Sequence, residues 1–83
     1  MLSTTEAATS IHQHLDARGL NCPLPILRTR KAIAQLDSGQ VLEVVSTDPG
    51  SVRDMDSFCE QTGHQIIQSK DREGAFAFLI RKA

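Results

Sequence analysis

Apolar residues recur along this chain in two rhythms, and the rhythm changes wherever glycine, proline or aspartate interrupts it. Residues 11–17 alternate weakly, with Ile11, Gln13 and Leu15 on one face, the period of a short β-strand. Gly19 supplies a turn after it. From Pro23 to about Leu36 the spacing is helical: Ile26, Thr29, Ile33 and Leu36 share one stripe, with Arg28, Lys31 and Gln35 opposite. Leu24 and Leu27 fall off that stripe and are expected at the surface. Asp37-Ser38-Gly39 ends the helix. Residues 41–46 (VLEVVS) are apolar on both faces except at Glu43, which suits a central strand. Thr47-Asp48-Pro49-Gly50 opens a second helix, with Asp48 as its cap and Pro49 at its first position. Val52, Met55, Phe58 and Cys59 form its apolar stripe, and Gly63 stops it. Residues 64–70 read as a third strand, 71–74 as a four-residue turn, and 75–81 as a fourth strand with Phe76, Phe78 and Ile80 on one face.

The order is β-α-β-α-β-β. Two helices cannot cover both faces of a four-stranded sheet. The expected fold is therefore α/β in content: an α+β two-layer sandwich, a four-stranded mixed sheet with both helices on one face. Residues 1–10 are small and polar and read as a flexible N-terminal tail. Residues 11–83 then form a single domain. At 83 residues the chain buries only roughly 60–65% of its unfolded surface, so its core is modest.

Charge and composition narrow the function. Nine Lys plus Arg against ten Asp plus Glu leave a net charge of −1, and there is no Trp or Tyr. Direct nucleic-acid binding usually shows a basic surplus and aromatic platforms, so none is expected. No apolar run approaches the ~20 residues that span a bilayer, and the first residues lack a signal peptide's basic start and apolar core. The expectation is a cytoplasmic protein that does not touch membrane. Two cysteines, Cys22 and Cys59, are too few for a disulfide scaffold and stay free in a reducing compartment.

Cys22 stands directly before Pro23-Leu24-Pro25 at the head of the first helix. Prolines are tolerated there because the first helical N–H groups have no intrahelical partner. They stiffen the segment, and Pro23 disfavours helical angles at Cys22. The helix dipole, the amides of Leu24 and Ile26, and nearby Arg18, Arg28 and Arg30 then favour a thiolate. No histidine lies close in sequence as a base. A stiffly held thiolate without a proton relay suits exchange of sulfur between thiols. Free cysteines are also commonly buried and inert, so a packing role for Cys22 stands beside the reactive one.

The stretch LDARGLNCPLPILRTRKAI resembles the signature of the TusA/SirA-like sulfur carriers: Leu-Asp, Gly-Leu, then Cys-Pro-x-Pro opening the first helix. The resemblance continues through GQVLEVVSTDPGSVRDMDSFCEQTGH and AFLIRKA and covers about residues 14–82. It implies the same β-α-β-α-β-β sandwich. It also implies a sulfurtransferase in which Cys22 carries a persulfide, with no other cofactor. Sulfur would arrive from a cysteine desulfurase or a rhodanese-like donor and leave to a downstream acceptor protein. The family's branches serve tRNA 2-thiouridine synthesis, molybdenum-cofactor biosynthesis or dissimilatory sulfur oxidation, and the motif does not separate them.

Other residues have plainer readings. Pro23 and Pro25 set the geometry of Cys22. Arg18, Arg28, Arg30 and Lys31 tune charge or dock partners, with Leu24 and Leu27 as the apolar part of such a patch; the bland alternative is a solvated face. Asp16 either fixes the loop before Cys22 by accepting backbone hydrogen bonds or is simply solvated. Cys59 lies on the apolar stripe as a packed thiol. His12 and His14 share a strand face but lack the further ligands a metal site needs, so no metal is expected. The rival to a sulfur carrier is a non-catalytic regulatory or interaction module on the same fold.

Overall fold

The computed structural model describes residues 10–83, so the expected tail over 1–10 lies outside it except for Ser10. The elements are β1 (Gln13–Ala17), α1 (Leu24–Ala34), β2 (Val41–Ser46), α2 (Ser51–Thr62), β3 (Gln65–Arg72) and β4 (Ala75–Arg81). The sheet order is β1-β2-β4-β3. The β1–β2 pair is parallel, with Leu15 opposite Val44, and β4 runs antiparallel to both β2 and β3. The sheet is therefore mixed, β2 is central as expected, and the fold is the α+β sandwich.

The core lies between the sheet and the helices. Leu42, Val44, Phe78 and Ile80 rise from β2 and β4 to meet Ile33 and Leu36 from the first helical segment and Met55, Phe58 and Cys59 from α2. Thr29 is buried among them, and its hydroxyl donates to the Pro25 carbonyl at 2.9 Å, which satisfies the one polar group on that stripe.

Several expectations need correction. β1 begins at Gln13, not Ile11; Ile11 is exposed and lies beside Glu43 and Val45 on the sheet's open face. Asp48 does not cap α2. The cap is Gly50, without a side-chain bond, and Asp48 instead offers its carbonyl to the Ser51 amide (3.0 Å) and hydroxyl (2.6 Å). Pro49 accordingly precedes the helix. Val52 is 37% exposed, and Ser51 takes the buried place. The β3–β4 hairpin closes through two residues, Glu73 (φ 50°) and Gly74 (φ 85°), the paired positive angles of a type I′ turn. β3 thus runs on to Arg72. Gly63 does end α2, in left-handed conformation at φ 86°, with its amide on the Cys59 carbonyl.

Candidate functional site

Parallel pairing of β1 and β2 places both strand-to-helix connections at one end of the sheet. The head of α1 and the head of α2 therefore meet there, and Cys22 sits at their junction. The loop from Arg18 to Pro23 is tied at several points. Asp16 accepts the Arg18 amide at 3.1 Å and grips its guanidinium at 2.9 and 3.0 Å. The Gly19 amide donates to Thr47 Oγ1 at 2.9 Å, joining this loop to the one after β2. The Leu24 amide donates to the Asn21 carbonyl at 2.8 Å. Asp16 thus fixes the loop, and the Arg18 guanidinium and amide bonds hold its carboxyl at about 2.

Cys22 is exposed, one residue before Pro23, the residue that caps α1. Its thiol donates to Asp54 Oδ2 at 3.6 Å. Partial desolvation, that hydrogen bond and the negative charges of Asp54 and Asp48 push the thiol above its ordinary value. This reverses the expected preference for thiolate. The expected cations are engaged elsewhere or stand off: Arg18 is held by Asp16, and the Arg30 guanidinium lies 5.0 Å over the Phe58 ring. Arg28 and Lys31 are exposed on α1. The Leu24 amide is spent on Asn21, and Pro25 offers none.

Leu24 and Leu27 are exposed, 42% and 51%, as their position off the stripe predicts. Pro25 is buried and anchors the helix start against the core. Cys59 is buried, and burial with the nearby Asp56 charge pushes its thiol to about 11. His12 Nδ1 accepts the Val41 amide at 3.1 Å, and His14 meets Glu43 at 2.6 Å. Among the described residues no group of three or more metal-ligating side chains assembles.

Asp54 and Arg53, which border Cys22, are absent from the sequence-based set of site residues. The signal that finds them is topological: a parallel βαβ pair brings the second helix's first turn beside the first's, at the strand carboxyl ends where α/β sites gather.

The family model described as sulfurtransferase TusA matches residues 13–82. The sulfur carrier protein TusA of Allochromatium vinosum is 58% identical over 71 residues, 86% of this chain and 93% of that one. TusA of Pseudomonas putida is 41% identical over 68 residues, 82% of this chain and 85% of that one. The crystal structure of a SirA-like protein from Desulfitobacterium hafniense superposes with a TM-score of 0.75 at 28% identity, covering 83% of this chain and 95% of that one. With the family pattern running from β1 to the end of β4 around an exposed Cys-Pro-x-Pro cysteine, the chain belongs to the TusA family of sulfur carriers.

Proposed function

We propose that Cys22 is the residue that carries the sulfur, as a persulfide. Its thiolate attacks the outer sulfur of a donor persulfide on a cysteine desulfurase or rhodanese-like protein. A sulfur–sulfur bond forms on Cys22 as the donor's own breaks, and the donor cysteine leaves as a thiolate. An acceptor thiolate then repeats the exchange and regenerates Cys22. Each transfer conserves electrons, so it needs no bound cofactor; the sulfur is cargo. The acceptor feeds tRNA 2-thiouridine synthesis, molybdenum-cofactor biosynthesis or dissimilatory sulfur oxidation, in the reducing cytoplasm where thiols stay free.

The observation that carries this reading is the contrast between the two cysteines: Cys22 is exposed at the head of α1, and Cys59 is buried in the core. Access decides sulfur exchange more than any proton relay does. The test is intact-protein mass spectrometry after incubation with a cysteine desulfurase and L-cysteine, then with a rhodanese or polysulfide donor. A reductant-sensitive gain of one sulfur, present in Cys59→Ser and absent in Cys22→Ser, is expected. Loading that survives Cys22→Ser, or no loading by any donor, overturns the proposal and leaves a non-catalytic interaction module.

A further inference from the structure

Cys22 opens on a groove of about 730 Å³, lined on the α2 side by Val52, Arg53, Asp54 and Asp56. Asp54 Oδ2 is 3.6 Å from the sulfur. Asp48, in the loop before α2, adds negative potential there, and its Oδ2 is buried with no hydrogen-bond partner. Arg53 is the single cation among the groove's lining residues. Arg18 is paired with Asp16, Arg30 lies on Phe58, and Arg28 and Lys31 lie farther along α1, off the groove. Two lining carboxylates, Asp54 and Asp56, against one guanidinium, with Asp48 behind them, make the approach to the sulfur acidic.

We infer that this groove receives a cationic segment of the sulfur-exchanging partner, a loop presenting its own cysteine beside a lysine or arginine that pairs with Asp54. The inference rests on the proposed role of Cys22 in sulfur exchange. Charge complementarity of this kind guides encounter and rejects like-charged partners. Val52, exposed where the helical rhythm predicts burial, gives the incoming loop an apolar contact at the groove wall. When the partner's cation takes Asp54, the carboxylate no longer favours the protonated thiol, so the proton passes to solvent water and the thiolate forms as the two sulfurs meet. The free protein keeps its thiol protonated and slow toward stray oxidants. The basic and leucine-bearing edge of α1 offers the opposite preference, for an anionic partner.

Small disulfides read the groove directly. Cys22 exchanges with a symmetrical disulfide to give the mixed disulfide and one free small thiol, its own proton passing to the leaving sulfur. Rates are measured with cystamine, which is cationic, and dithiodiglycolate, which is anionic. Each is divided by the rate for the neutral symmetrical disulfide of N-acetylcysteine amide, all in Cys59→Ser at low salt. Uncompensated charge at this range predicts a cystamine preference of roughly three- to tenfold. It should shrink with added salt and fall at least about twofold in Asp54→Asn. The ratio cancels any change in thiolate fraction, and dividing it by the same ratio for a small neutral thiol in solution removes the disulfides' own leaving-group differences, so the preference that remains reports charge at the groove. No preference, or a preference for the anionic disulfide, in the otherwise unaltered groove overturns the inference whether or not the Asp54 variant folds. The readout uses no sulfur donor, so persulfide loading can succeed while this inference fails, and the reverse.

Discussion

A helix amino end pushes the Cys22 thiol toward thiolate, while partial desolvation and then the Asp54 carboxylate push it the other way and prevail. The helix acts through its unpaired first-turn amides, and here those are scarce: the Leu24 amide bonds the Asn21 carbonyl at 2.8 Å, and Pro25 has no N–H. The prolines that stiffen the site also strip it of donors. Asp54, 3.6 Å away, meets little opposition. Asp54→Asn should therefore lower the Cys22 titration midpoint, read from the ultraviolet absorbance of the thiolate in Cys59→Ser; an unchanged or higher midpoint contradicts the assignment. At Cys59 the opposite holds. The side chain is buried in the core, so Cys59→Ala should cost about 1 kcal/mol in denaturant unfolding. Sulfur loading should stay intact.

At the scale of elements, the ends of helices and strands hold most of the surprises. The β3–β4 turn puts Glu73 at φ 50°, an angle most side chains avoid, beside Gly74 at φ 85°. Asparagine tolerates that region better and favours this turn type. Glu73→Asn should stabilise the fold by about 0.5 kcal/mol, seen as a higher denaturant midpoint with an unchanged slope. Gly63→Ala should do the reverse by about 1 kcal/mol, because Gly63 sits at φ 86° and a new Cβ meets nothing closer than 3.9 Å, which leaves backbone strain as the cost. Such ends are hard to read from a sequence. The rhythm of Ile26, Thr29, Ile33 and Leu36 locates α1 because burial enforces it over several turns. By contrast, Asp48-Pro49 is compatible with more than one helix start, and Ser51 rather than Asp48 supplies the side-chain bond that closes this one, onto the Asp48 carbonyl at 2.6 Å. Cys22 is legible because its chemistry is local to one motif. Asp54 is not, since it reaches the sulfur across 32 residues of chain, through the parallel pairing of β1 with β2.

Across the whole molecule, the C-terminal residues lock the two helices to the sheet at the end opposite the cysteine loop. The Lys82 ammonium donates to the Leu36 carbonyl at 2.6 Å, satisfying the chain end of the α1 segment, and the Lys82 backbone pairs with Gly39 and Gln40. The next amide, Ala83, donates to His64 Nδ1 at 2.9 Å, just beyond α2. His64 is half-buried, its ring 5.4 Å from that of Phe58. That acceptor role needs a neutral imidazole. Burial, and then the positive Lys82, pull its midpoint below the ordinary 6.5. The unfolded chain therefore binds the His64 proton more readily than the folded one, and stability rises with pH wherever the two differ. The contribution is complete above about pH 7 and is lost as the pH falls through 6.5 and then the lower folded midpoint. Thermal unfolding followed by circular dichroism from about pH 7.5 to about pH 5 should show a falling midpoint. The decline should be shallower in His64→Gln, which can accept the Ala83 amide without titrating. Equal slopes in the two proteins would mean that the C-terminal lock does not depend on the charge of His64.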